Sequence, residues 1–103
     1  MKVLVIIKNK HAIPLEAIPS LMDGALAWKR KYAGKMEQLF AFAGMQAGGG
    51  IADVDSAEEL DTILAELPMA PFSNIEIYPI TDVEGVWQHR KQMAEAMLKG
   101  RRG

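Results

Sequence analysis

Glu76 and Tyr78 stand two residues apart in Ile75–Ile80, a segment that alternates like a strand, so a carboxylate and a phenol project from one side of it. A carboxylate can take up and return a proton, and a phenol can donate a hydrogen bond while remaining neutral. Glu37 and His11 are further possible bases, Lys8 and Lys10 possible cations, and Gln38 a neutral donor. Lys8 ends an apolar run and by alternation shares a face with Leu4 and Ile6. His11 follows that run in a connection, where binding groups commonly sit. The candidate set is Glu76, Tyr78 and His11 for catalysis, with Lys8, Gln38 and Phe40 for substrate binding. Each also has a plainer role, since a lysine snorkels to water and lone loop histidines are mostly solvated. The chain has no cysteine, which removes disulfides, thiolate metal sites and cysteine nucleophiles. No metal site is expected.

The elements that must position these side chains are legible in order. Val3–Ile7 is short, apolar and rich in β-branched residues, as in a central strand covered on both faces, and it extends to Lys8 or Asn9. Lys10–Pro14 connects it to an amphipathic helix striped by Ile18, Leu21, Met22, Ala25, Trp28 and Tyr32 and ended by Gly34. Trp28 and Tyr32 read as core anchors. Met36–Ala43 reads as a second strand, with Gln38, Phe40 and Phe42 on one side. Gly44–Gly50 is expected to turn the chain into a short third strand, Ile51–Val54. Gly48, Gly49 and Gly50 are not a phosphate loop, because no Lys-Ser or Lys-Thr follows. They suggest a bulge, or backbone approached closely by a neighbour or ligand, with the bulge preferred.

Asp53–Ile80 is the most punctuated stretch. Ser56 and Glu59 form a capping box, and Leu60, Ile63, Leu64 and Leu67 stripe the helix behind it. Pro68 stops that helix. In the strand that follows, Ile75, Ile77 and Pro79 are expected to face the helices, and Glu76, Tyr78 and Ile80 the opposite side. Asp82 can cap a last helix striped by Val83, Val86, Trp87, Arg90, Met93, Ala94 and Met97, with His89 at its rim.

A chain of 103 residues predicts one domain over 1–103. A net charge of −1 argues against a nucleic-acid surface, and the basic cluster Lys99, Arg101 and Arg102 reads as a solvated tail. Val3–Ile7 is too short for a signal core or a membrane span, so a cytoplasmic protein with no membrane partner is expected. The element order predicts an α+β, ferredoxin-like βαββαβ fold with a C-terminal helix. Two helices cover one sheet face, and the other, apolar face needs a partner. A homodimer is therefore expected.

The D-V-x-S cap at Asp53–Ser56, the leucine-striped helix, Leu67-Pro68 with Pro71-Phe72, Ile75-Glu76-Ile77, and Leu39 with Ala43-Gly44 together resemble the muconolactone isomerase family. The likeness runs from about Lys35 to Ile80. It implies a dimeric α+β barrel, with dimers assembling into a ring. It also implies a double-bond shift in a small unsaturated lactone: loss of a γ proton, a dienolate, and reprotonation at the α carbon. Such a reaction needs no metal or organic cofactor, and implies a small hydrophobic or carboxylate-bearing metabolite as ligand. Alternatives are a non-catalytic dimer that binds a hydrophobic ligand or acts as an accessory protein, and, by fold analogy, a cofactor-independent monooxygenase-like enzyme.

Overall fold

The computed structural model of the chain describes residues 1–102. Strand β1 (Lys2–Asn9) leads through a 3₁₀ turn at Leu15–Ala17 into helix α1 (Ile18–Lys31). Strands β2 (Met36–Ala41) and β3 (Ala47–Asp53) form a hairpin, followed by helix α2 (Ala57–Ala65), strand β4 (Ser73–Ile80) and helix α3 (Val83–Arg102). The sheet has the order β2-β3-β1-β4, and every adjacent pair is antiparallel. This is the expected α+β, ferredoxin-like plan with one added helix.

Burial divides the sheet into two unlike faces. Val3 and Val5 are buried with Trp28, Met36, Ala52, Val54 and the α2 stripe Leu60, Ile63, Leu64 and Leu67. The alternating residues Leu4 and Ile6 are only half covered, so β1 is central but is sheltered on one face rather than on both. Ile75 packs against the core as expected. Ile77 pairs with Val5 and therefore faces the helix side, yet it remains 46% exposed. The C-terminal helix explains this: α3 runs outward, the chain measures 70 × 27 × 22 Å, and Trp87 and Met97 are 63% and 70% exposed. Among the described residues, the apolar stripe expected on α3 therefore finds no surface to cover. In the C-terminal basic cluster, the Arg102 side chain lies outside the described residues.

The glycine run corrects a second expectation. Gly48, Gly49 and Gly50 lie inside β3, not in the turn, and β3 is correspondingly longer than Ile51–Val54. The turn is shorter, closed by the Phe42 amide donating to the Ala47 carbonyl, with Gly44 at φ 79°. The bulge falls on β2, between Met36 and Gln38, opposite Ile51 and Ala52. It turns Met36 onto the buried face while Gln38 and Phe40 keep the other. The glycines instead serve close approach: a Cβ on Gly49 would lie 2.4 Å from the Val5 carbonyl oxygen, and one on Gly50 2.5 Å from that of Gln38.

Helix α2 begins as its sequence requires. The Glu59 amide donates to Ser56 Oγ at 3.1 Å, while the Glu59 carboxylate accepts from the Asp55 amide, one residue before the cap, instead of from Ser56. Ser56→Ala is expected to destabilise the fold by about 1 kcal/mol. Thermal unfolding checks it, and an unchanged midpoint would mean that this cap contributes nothing.

At the other end of α2, Glu66 accepts from the Tyr32 hydroxyl and from Lys31 Nζ, the latter at 2.9 Å. The Tyr32 hydrogen bond, then the lysine, holds the Glu66 carboxyl below its ordinary range. The same carboxylate raises Lys31 and Tyr32 above theirs. A depressed carboxyl stabilises the fold above its unfolded pKa, about 4.3, and that stability is lost as pH falls through the folded value. For Lys31 the sign reverses, with stability lost as pH rises through its raised value. Wild type is thus expected to exceed Glu66→Gln in stability at neutral pH, with the gap closing in acid. Equal unfolding midpoints of the two proteins from pH 7 to pH 2 would count against it. The groups are exposed, so the gap is small and shrinks with salt.

Candidate functional site

Pairing of β4 with β1 brings three of the expected site residues together. Lys8, Glu76 and Tyr78 all lie on the sheet face turned away from the helices. Tyr78 Oη donates to Glu76 Oε2 at 2.9 Å, and Lys8 Nζ lies 3.6 Å from Glu76 Oε1. Glu76 thereby holds a neutral donor on one oxygen and a cation near the other. The Glu76 hydrogen bond, then its charge, raises the Tyr78 phenol above its ordinary value, so Tyr78 stays protonated at neutral pH. The surroundings are apolar: Leu4 and Ile6 on β1, Ile51 on β3 and Ile80 on β4 share the face.

The remaining expected residues are separate. Gln38 and Phe40 share the face but sit on β2, across β3 and β1 from β4, about 14 Å away at ordinary strand spacing. Phe40 packs on Phe42 with ring centroids 5.8 Å apart. His11 is exposed beyond the end of β1, its amide donating to the Phe72 carbonyl at 3.2 Å. Among the other possible bases and cations, Glu37 pairs with Lys2 at 3.2 Å, and Lys10 is exposed.

A second feature escaped sequence reasoning. On the helix side, α1 stands off the sheet and leaves an open cleft of about 670 Å³, walled by Ile18, Met22, Ala25, Trp28, Ile7 and Leu39 and reaching Gly48 and Gly49. Its polar groups include Asn9, Gln46 and Ser73, with Asn9 Nδ2 donating to Gln46 Oε1 at 2.9 Å. Among the described residues Lys29 lines it, and no carboxylate or imidazole does. The available signal was the glycine run, since side chains missing from a strand leave its backbone open to a ligand. Trp28 belongs to both core and cleft wall. Among the described residues no group of His, Cys, Asp and Glu is arranged to hold a metal, and no helix is long and apolar enough to cross a membrane.

Comparison with known proteins adds an independent observation. Residues 20–85 match the family model of muconolactone delta-isomerase. Muconolactone Delta-isomerase of Rhodococcus opacus is 37% identical over 76 residues, covering 68% of this chain and 82% of that protein. The enzyme of the same name from Cupriavidus pinatubonensis is 38% identical over 58 residues, 56% of this chain and 63% of that one. Among solved structures, a muconolactone isomerase superposes with a TM-score of 0.70 at 23% identity, over 80% of this chain and 90% of that one. A 5-chloro-2-hydroxyhydroquinone dehydrochlorinase from Burkholderia phenoliruptrix, in complex with 2,5-dihydroxybenzoquinone, gives 0.60 at 15% identity, over 81% and 97%. At these identities the two structures speak for the fold alone.

Proposed function

The chain belongs to the muconolactone delta-isomerase family, and from that premise we propose that it is a small-molecule isomerase shifting a double bond in a small unsaturated lactone or related metabolite. The observation that carries the chemistry is the Lys8–Glu76–Tyr78 cluster. Glu76 takes the γ proton from the substrate, whose electrons move into a dienolate. The protonated carboxyl returns the proton to the α carbon, so the enzyme ends as it began and nothing is oxidised or reduced. Once Glu76 has taken the proton, the Tyr78 O–H is free to turn to the dienolate oxygen, and Lys8 supplies a positive charge for that oxygen or a substrate carboxylate. Neither proton transfer nor charge stabilisation here calls for a cofactor.

In a single chain the cluster stands at the water boundary, with the side chains of Lys8 and Glu76 49% and 42% exposed. The open, apolar sheet face supports closure by a second copy, sheet against sheet, which would shield the cluster and strengthen its electrostatics. The test is to incubate the protein with muconolactone in D₂O and follow the ring protons by NMR. The expected result is isomerised product, with deuterium at the α carbon only to the extent that the protonated Glu76 carboxyl exchanges with solvent before it returns the proton. No turnover by a protein that sediments as a dimer would sink the enzyme assignment.

One observation favours a second reading, a non-catalytic dimer that binds a hydrophobic ligand. The α1 cleft is apolar and has no base among its lining residues. Under that reading an apolar ligand binds without conversion, and narrowing the cleft by Ala25→Phe abolishes binding while Glu76→Gln does not.

A further inference from the structure

Helix α3 is built to be covered, yet none of the described residues of its own chain covers it. Val83, Trp87, Met93 and Met97 recur at helical spacing and are each at least half exposed, from 51% to 70%. The family match ends at residue 85, so nearly all of α3 lies beyond the matched segment. Only Thr81 and Asp82 separate it from β4. Asp82 fixes the exit, its carboxylate accepting from the Gly85 amide at 2.8 Å and its carbonyl from the Val86 amide at 3.2 Å. With a short, capped joint, the helix leaves its own sheet rather than folding back on it.

A complementary surface exists on the same chain. Helix α2 joins β3 to β4 and so crosses β1, leaving the helix side of β4 bare at Ile77 and Pro79. Among the outward residues of α2, Glu58 and Asp61 are acidic and exposed. Helix α3 carries the opposite sign in Arg90, Lys91, Lys99 and Arg101 against Glu84 and Glu95. Pairing α3 with another α3 would oppose like charges, whereas laying it beside α2 joins unlike ones.

We propose that α3 is an exchange arm: it docks on a second copy of this chain, along the helix side of that copy's β4 and beside its acidic α2. Because both copies carry arm and receiving surface, a two-fold arrangement makes the contact twice. One arm of 20 residues is about 30 Å long, enough to span the sheet. A tryptophan with several methionine and valine side chains per arm, counted twice, reaches the order of about 800 Å² per partner found in stable complexes. This association is separate from closure of the open sheet face and does not depend on the isomerase reading.

The test uses the full chain and reads Trp87, since the other tryptophan, Trp28, is 6% exposed and stays in the core on association. Sedimentation and tryptophan emission are measured together across concentration for the wild type, Glu58→Lys/Asp61→Lys, Arg90→Glu/Lys91→Glu, and the two variants mixed. The expected result is a blue shift of Trp87 on association, about tenfold weaker association for each variant alone, and recovery in the mixture. Three results would overturn the proposal: Trp87 staying in water while the chain is dimeric, association unaffected by either pair of reversals, or no recovery in the mixture although each variant shows the wild-type far-ultraviolet dichroism.

Discussion

Glu76→Gln is expected to lower lactone isomerisation by about 10²–10⁴-fold, the usual worth of a positioned proton-transfer group. Glutamine keeps the shape of the carboxylate and can still accept from Tyr78, so the sheet face is preserved while the base is lost. Sedimentation run beside the assay separates two roles. Lost turnover with the dimer intact assigns Glu76 to catalysis, whereas lost dimer assigns it to the interface. The neighbouring phenol adds a pH signature. Since Glu76 raises Tyr78, the O–H persists beyond the ordinary tyrosine range, and any alkaline loss of activity due to Tyr78 is displaced upward. Tyr78→Phe should remove that limb.

Trp28→Ala is expected to be the most damaging substitution for stability, at about 3–5 kcal/mol. Trp28 is 6% exposed and fills the junction between α1 and α2, its Nε1 donating to the Ile63 carbonyl at 2.8 Å. Ile63 lies in the last turn of α2, where carbonyls lack a helical partner, so the indole satisfies an oxygen that would otherwise be buried alone. Alanine removes both volume and donor. For a domain of about 100 residues the midpoint should fall by more than about 10 °C. Trp28→Phe keeps most of the volume and should cost less, about 1–3 kcal/mol for the stranded carbonyl. Equal midpoints for the phenylalanine variant and wild type would show that the hydrogen bond adds nothing to packing. Because Trp28 also walls the cleft, the alanine variant should widen it and alter any binding of an apolar ligand there.

The amino-acid sequence by itself determined the order of elements, the cap and stripe of α2, the alternation of β4 and the family resemblance. These depend on local spacing: 3.6 residues per turn, two per strand repeat, and a proline that ends a helix. Alternation alone also put Glu76 and Tyr78 on one side, and Lys8 beside Leu4 and Ile6. Only the tertiary structure decided that Lys8 meets Glu76, since that depends on the β1–β4 register, set by long-range pairing. Strand order likewise put Gln38 and Phe40 two strands beyond β1 from β4, although their parity was legible. The bulge opposite Ile51 and Ala52 was not legible, because it depends on two strands together, and it reversed the side on which Met36 lies. The glycine run was visible and close approach was one of its two readings, but the choice between them was not legible: what crowds those backbone atoms comes from β1 and β2. The stripe on α3 shows in the sequence as a demand for a partner, and only the fold shows that its own chain leaves that demand unmet.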